Sequence, residues 1–412
     1  MIALRKRFAA ALVGPLLLGS LIGAAPATHW VGTWATSQQI PEDRNTLPDA
    51  DLNDATLRQS LRVSIGGNSV RVLLTNAFGA EPLVVASTHI APTAAPGTAR
   101  VDGTGDRVVR FNGAPSVTIP AGASYWSDPI AMPLKPLQRL TVSIYLPKPP
   151  KGQTSHPGSR TASYLVHGDH VADSDLPNAK AVEHWYQLAG IAVAAGPGAR
   201  AVVTFGDSIT DGHGATTNQD DRWPDAFAER LRTSPATRDI GVLNHGIGGN
   251  RLLLDGLGPN ALARFDRDVL AQPGVRTLII LEGINDLGTL TRDKPATPEA
   301  HQALVKGMIG VYAQMIDRAH ARGIKVIGAT ILPDGGSAYY HPDAQNEADR
   351  QAVNAWIRAP GHFDAVADFD AATRNPSDPT RMRKDMDSGD GLHPNPAGFR
   401  AMAAAVPLAV FR

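Results

Sequence analysis

Residues 201–212 read AVVTFGDSITDG. Ala201 to Thr204 is a short apolar, β-branched run, and Gly206-Asp207-Ser208 follows where the chain turns polar. A buried strand that ends this way has three readings. Ser208 caps a helix N-terminus, or the loop cradles a phosphate, or Ser208 is a nucleophile held on a bend. Capping is the commonest fate of a serine at a strand-to-helix turn. A phosphate cradle needs G-x-x-x-x-G-K-[ST] or G-x-G-x-x-G, and neither occurs. Gly246-Ile247-Gly248-Gly249 comes near but lacks the third glycine at the required spacing. The G-x-S-x-G elbow is also absent around Ser208. A nucleophilic Ser208 therefore belongs to another architecture, and the decision rests on what the flanking strands deliver.

Outward from this stretch, residues 196–412 alternate strand and helix patterns. Segments 200–205, 240–243, 276–281, 324–332 and 363–369 read as strands. The unbroken apolar run of 276–281 suits a parallel strand covered on both faces. Trp223, Phe227 and Leu231 repeat at helical spacing behind Pro224. Thr297-Pro298-Glu299 opens a long helix with the stripe Leu304, Met308, Val311, Met315, and Gly323 ends it. Further helices are expected near 343–358 and from Asn395-Pro396. Strands joined by helices predict an α/β fold: a parallel sheet of about five strands in three layers.

In such sheets functional groups gather at the carboxyl ends of the strands. Four polar clusters fall there: Gly206-Asp207-Ser208, Asn244 to Asn250, Gly283-Ile284-Asn285-Asp286 and, after a loop beyond the last strand, Asp390-Gly391-Leu392-His393. A serine hydroxyl needs a base within reach, and His393 is the candidate. Asp390 precedes it by three residues, so in a helical turn both project from one face. The carboxylate then holds one imidazole nitrogen and the other faces the serine. A surface histidine and a turn aspartate between Gly389 and Gly391 are the plain alternatives. Developing oxyanion charge needs donors. Gly249 offers a backbone amide and Asn285 an uncharged side-chain amide; turn geometry and an Asx-turn are the alternatives. The adjacent Gly248 leaves the glycine assignment open. The coincidence of these components at four strand ends carries weight that no single one does.

With these blocks in order, the chain resembles the SGNH hydrolase superfamily, the GDSL-type esterases and lipases, over roughly residues 200–410. Ile209 stands where the name motif has leucine. The resemblance implies a flavodoxin-like three-layer α/β/α sandwich with a five-stranded parallel sheet. It implies Ser208 as nucleophile, His393 as general base and Asp390 as its orienting carboxylate. The Ser208 amide, the Gly249 amide and the Asn285 side chain then form the oxyanion hole. The implied activity is carboxylic ester hydrolysis without metal or cofactor. Asp207, His213, Asp390 and His393 show no known metal-ligand spacing.

Residues 28–195 read as β. Residues 61–65 alternate, Gly66-Gly67-Asn68 turns the chain, and 70–74 continues. Leu140, Val142, Ile144 and Leu146 repeat a period of two. Frequent Pro and Gly suit an antiparallel, jelly-roll-like sandwich preceding the hydrolase half. Trp30, Trp34, Trp126 and Trp185 are either core or a sugar-stacking platform. Residues 1–27 have the layout of a secretory signal: Arg5-Lys6-Arg7, an apolar stretch, then Ala25-Pro26-Ala27 for cleavage after Ala27. The expected location is secreted or periplasmic, with no membrane attachment after cleavage.

The chain has no cysteine, which excludes disulfides, thiol chemistry and a lipidated cysteine. Without the leader, 39 − 3 = 36 basic residues face 39 acids, a net charge of about −3. No long basic run exists, so nucleic acid is excluded as a partner. Export, a preceding sandwich and no long apolar lid favour short acyl groups, such as acetyl, on carbohydrate. An arylesterase or lipase-like acylhydrolase, and a non-catalytic carbohydrate-binding protein, are the alternatives. Tyr339, Tyr340 and Arg251 are candidate cleft residues; no substrate-binding residue is assigned, and the sequence leaves oligomeric state unread.

Overall fold

The computed structural model describes residues 28–411; the expected leader, 1–27, lies outside them. In the second half five strands form one all-parallel sheet. They are β1 (Arg200–Gly206), β2 (Ile240–Gly246), β3 (Val275–Leu281), β4 (Lys325–Ala329) and β5 (Ala365–Ala367), in the order β2-β1-β3-β4-β5. Val202, Val203, Phe205, Leu278 and Ile279 are fully covered, as continuous apolar runs require. The helices are α1 (Ser208–Asp211), α2 (Trp223–Leu231), α3 (Ala261–Phe265), α4 (Ile284–Thr291), α5 (Pro298–His320), α6 (Ala344–Arg358), α7 (Phe369–Thr373) and α8 (Pro396–Ala405). Helix α2 packs on α8, and α5 packs on α6. Thr297 caps α5 through the Ala300 amide, and Asp343 forms a capping box with Asn346 at the start of α6.

Two strands are shorter than their apolar runs. The chain leaves the sheet after Ala329, where Asn354 binds both the amide and the carbonyl of Ile331. The run 363–369 keeps only Ala365–Ala367 as strand, because Asp368 caps α7 and draws Phe369 into it. Strand β2 is longer than the apolar segment 240–243 and continues through Asn244 and His245 to Gly246.

The first half is built of antiparallel sheets. One runs Trp30–Ala35, Leu188–Ala194, Gly67–Thr75, with Ser124–Trp126 and Ile130–Leu134 both pairing the last. The other runs Lys180–Val182, Ser163–His167, Ala55–Arg62, Arg139–Leu146, Ser87–Pro92, Arg107–Val108. The turn at Gly66-Gly67 carries the chain from one sheet to the other rather than back along the same one. A Cβ on Gly66 would stand 2.2 Å from the Leu134 carbonyl oxygen. Trp34 and Trp185 are buried against each other, edge to face at 5.0 Å, and Arg71 lies over Trp30 at 4.5 Å. Two of the four tryptophans are therefore core rather than a stacking surface.

One apolar core runs from these sheets into the parallel sheet. Strand Trp30–Ala35 lies against β2, and their backbones touch where two glycines meet. A Cβ on Gly241 would fall 2.1 Å from the Gly32 oxygen, and one on Gly32 would fall 2.8 Å from Leu243 Cδ1. Around this apolar contact Arg139 pairs with Asp220 at 2.6 Å and Arg62 with Glu229 at 2.8 Å. Leu243 is fully buried at this seam. Leu243→Ala is expected to lower stability by about 2–5 kcal/mol in urea unfolding. Calorimetry of the wild type is expected to give one transition; two well-separated transitions would contradict a shared core.

Candidate active site

The pairing register puts Gly206 level with Gly246 on one side and Leu281 on the other. The segments that leave β1, β2 and β3 therefore start from one line. Gly206 has no room for a side chain: a Cβ would stand 2.2 Å from Thr210 Oγ1 and 2.5 Å from the Leu281 oxygen. The helix cap is Asp207, not Ser208; its carboxylate accepts from the Ile209 amide at 2.9 Å. Ser208 is the first residue of the one-turn helix α1, which Gly212 ends at φ +108°. His156, from the first half, holds the far end of that helix. Its Nε2 lies 2.8 Å from Asp211 Oδ1, both side chains are buried, and its ring stacks on Trp185.

Ser208 and His393 come together across the sheet's carboxyl edge, with Oγ to Nε2 at 2.8 Å. His393 Nδ1 lies 2.6 Å from Asp390 Oδ2. The second Asp390 oxygen accepts the amides of Leu392 at 2.9 Å and His393 at 2.8 Å. The segment is thus a carboxylate-centred turn, not the helical turn the three-residue spacing suggested. Gly391, at φ +70°, lets it pass the Gly336 backbone. Burial works to raise the Asp390 pKa, but the bonds from the His393 ring and amide outweigh it and hold it below the usual carboxylate range. An ionised Asp390 puts the proton on His393 Nδ1 and leaves Nε2 as acceptor for the Ser208 hydroxyl.

Asn285 lies in the first turn of α4, behind Gly283. Its Nδ2 donates to the Asn250 carbonyl at 2.8 Å, and its Oδ1 accepts from the Tyr340 hydroxyl at 2.6 Å. These bonds fix which end of the amide is the donor. Tyr340 is a buried partner of Asn285, whereas Tyr339 is exposed and accepts from Arg292. Gly288 makes room for Tyr340, since a Cβ there would lie 2.3 Å from the ring. Gly249 takes φ +73°, with its Cβ position blocked by Leu257 at 2.4 Å, while Gly248 has no positive φ. Asp286 accepts the Leu252 and Leu253 amides at 2.8 and 3.1 Å and so ties down the segment after Gly249. Burial pushes the Asp286 carboxyl up to about 6 despite those two bonds.

His213, Asp390 and His393 offer three ligand atoms within 4.8 Å of one another. The His213 ring lies 4.0 Å from that of His393, and Arg160 Nη2 lies 3.1 Å from His213 Nδ1. A guanidinium only donates, so His213 Nδ1 is the acceptor and its proton sits on Nε2. Burial, with the charges of His393 and Arg160 adding, lowers the His213 pKa to about 4. A cation placed here would face Arg160, so the trio does not suit a metal. Asp207 is buried at its cap, apart from the trio. Sequence reasoning gave no role to Tyr340 as a partner of Asn285, to Arg160 or to His156. The glycine inside α4 was the one local signal for the first of these. Beyond Asp390 a cavity of about 350 Å³ is lined by Gly336, Ala338, Arg381, Lys384 and Gly391 among others.

The short Nδ1–Oδ2 contact is expected to give His393 a strongly deshielded ring-proton resonance in ¹H NMR. Asp390→Ala is expected to abolish that resonance; its persistence would break the assignment.

Residues 204–401 match the GDSL-like Lipase/Acylhydrolase family. No curated protein matches the chain. Among solved structures, the acetyl xylan esterase AlAXEase is 23% identical with a TM-score of 0.38, over 51% of this chain and 99% of that one. An acetylxylan esterase from Geobacillus stearothermophilus, solved as a catalytic mutant, is 21% identical with a TM-score of 0.38, over 52% and 94%. A GDSL-like lipase from Bacteroides thetaiotaomicron VPI-5482 is 20% identical with a TM-score of 0.37, over 51% and 87%. The second half of the chain, at residues 204–401, thus belongs to the GDSL-like lipase/acylhydrolase family, and the protein is a carboxylic ester hydrolase.

Proposed function

We propose that the protein is a serine esterase that removes short acyl groups, acetyl above all, from carbohydrate. The observation that carries the mechanism is the unbroken chain from Ser208 Oγ to His393 Nε2 at 2.8 Å and from His393 Nδ1 to Asp390 Oδ2 at 2.6 Å. Ser208 Oγ attacks the ester carbonyl as His393 Nε2 takes its proton, forming a tetrahedral oxyanion. The Ser208 amide, the Gly249 amide and Asn285 Nδ2 receive that charge. The intermediate collapses, and His393 returns the proton to the leaving alcohol oxygen. Water, deprotonated by the same histidine, then attacks the acyl-serine, and Ser208 leaves protonated. Asp390 stays ionised throughout and steadies the imidazolium.

Two features favour a short acyl group on a polar alcohol. Among the described residues of the second half, the large hydrophobic side chains left exposed are Leu254 and Tyr339, too few to line a groove for a long chain. The cavity beside Asp390 carries Asn375, Arg381, Lys384 and Asp387 in its lining, side chains suited to a hydroxyl-rich leaving group. A chromogenic ester series is expected to favour acetyl over butyryl and octanoyl, with acetate released from acetylated polysaccharide. Faster turnover of the octanoyl ester would overturn the acyl preference. Ser208→Ala is expected to abolish burst release of the alcohol. Asn285→Ala is expected to lower kcat by about 10²–10³ with the fold intact. Tyr340→Phe, which frees the Asn285 amide to rotate, is expected to lower kcat about tenfold, the worth of one buried hydrogen bond. Wild-type kcat in both variants would remove Asn285 from the oxyanion hole.

A further inference from the structure

Arg264, in the short helix α3, is fully buried, and no step of the proposed mechanism uses it. Its guanidinium reaches the three segments that leave β1, β2 and β3. Nη2 donates to the Gly206 carbonyl at 2.9 Å, two residues before Ser208. It also donates to Glu282 Oε1 at 3.1 Å, three residues before Asn285. Nε donates to Asn250 Oδ1 at 2.9 Å, one residue after Gly249. Nη1 donates to the His245 carbonyl at 2.7 Å, to Asp268 Oδ2 at 3.2 Å and to Ser37 Oγ at 3.0 Å. The guanidinium carbon lies 3.9 Å over the Phe205 ring.

These acceptors are not scattered. Gly206, Asn250 and Glu282 each sit next to, or a few residues from, one of the three oxyanion donors. The Asn250 carbonyl in turn accepts from Asn285 Nδ2 at 2.8 Å, and the Gly206 carbonyl also accepts the Ile247 amide at 3.0 Å. A rigid planar fork sets the spacing of several acceptors at once, which a lysine ammonium on a flexible stem does not. Ser37 brings the first half into the same cluster, since it also donates to Asp268 Oδ2 at 2.8 Å.

We propose that Arg264 is the positioning residue of the oxyanion hole: one buried guanidinium holds the Ser208, Gly249 and Asn285 donors at their mutual spacing, with Ser37 of the first half as part of its cradle. The proposal rests on the esterase reading above. It assigns Arg264 no contact with substrate, and it leaves the Ser208–His393–Asp390 chain untouched by its removal.

The test compares Arg264→Lys, Asn250→Ala and Ser37→Ala with the wild type, each first checked for fold by near-UV circular dichroism. In Arg264→Lys, kcat on an acetyl ester is expected to fall about 10²-fold, as for a lost oxyanion donor, with KM changed less than threefold. Affinity for a boronic acid that forms a tetrahedral serine adduct is expected to fall in parallel with kcat. The deshielded His393 proton is expected to persist. A general loosening of the fold would move KM and that proton as well. Asn250→Ala and Ser37→Ala each remove one arm of the cradle and are expected to show the same split at about three- to tenfold; they decide the matter where Arg264→Lys fails to fold. Unchanged kcat in the folded variants overturns the proposal. A readout without turnover separates it from the esterase reading. The ¹H–¹⁵N resonances of the Ser208 and Gly249 amides and of Asn285 Nδ2 are expected to shift in the variants. If they stay in place the positioning role is refuted, whether or not the wild type hydrolyses esters.

Discussion

The constraint on which the site depends is the level register of three parallel strands. Gly206 is paired with Gly246 and with Leu281, so β1, β2 and β3 end in one row. A serine two residues past the first end, a glycine three past the second and an asparagine four past the third then rise from a common line. A shift of one residue in either pairing would turn the donors away from the serine, because alternate residues leave a strand on opposite faces. Steric demands protect the register. Gly206 is hemmed by Thr210 and the Leu281 carbonyl, and a Cβ on Gly246 would lie 2.1 Å from the Asp211 amide nitrogen. The helix carrying Ser208 therefore packs directly on the neighbouring strand end, and neither glycine tolerates a side chain.

The components that were legible in the sequence are those whose residue types carry their own chemistry. Ser208 and Asn285 stand just past strand ends, Asp390 and His393 follow the last parallel strand after a longer segment, and the order of the blocks groups all four. Their local geometry was less legible. The spacing of Asp390 and His393 is compatible with a helical turn, but the carboxylate takes two backbone amides and the ring at once, and that demand bends the segment around Asp390. Apolar runs located β4 and β5 but overstated their length, because Asn354 and Asp368 compete for the backbone beyond Ala329 and Ala367. Tyr340 and Arg264 were illegible for another reason. Each acts on a residue distant in sequence, Asn285 and the three strand ends, and an arginine in a short helix ordinarily reads as surface.

The first half is joined to the site rather than hung beside it. His156 meets Asp211 at the end of the helix that begins with Ser208, and Gly158 passes so close that a Cβ would stand 1.8 Å from the Asp211 carboxylate. Arg222, just before α2, donates to the Ser159 carbonyl, and Asn218 Oδ1 accepts the Ala162 amide at 2.8 Å. Arg160, on the same segment, reaches His213 beside the catalytic-type histidine. A polar seam of this kind loses more when one partner is removed than an apolar one, because each orphaned buried group keeps its desolvation cost. The segment 156–162 is accordingly part of the wall around Ser208, and the antiparallel sheets behind it fix where that wall stands.

Electrostatics explain why a guanidinium is tolerated under this wall. Arg264 is buried with Asp268, Glu282 and Asp207 close at hand. Burial works to raise the Asp268 pKa, but Arg267 beside it, with His245 and then Arg264 adding, outweighs burial and holds it below the usual carboxylate range. Glu282 goes the other way: burial, reinforced by the charge of Asp207, drives it well above its usual range against the pull of Arg264. Burial likewise raises Asp207, to about 7. Asp268 thus stands between two guanidiniums, Arg264 and Arg267, while burial works against charge on Glu282 and Asp207. A tetrahedral oxyanion formed above it would meet less opposing charge from Glu282 and Asp207 than two freely ionising carboxylates would exert. In a poorly screened interior that reduction of opposing charge adds to what the donors supply.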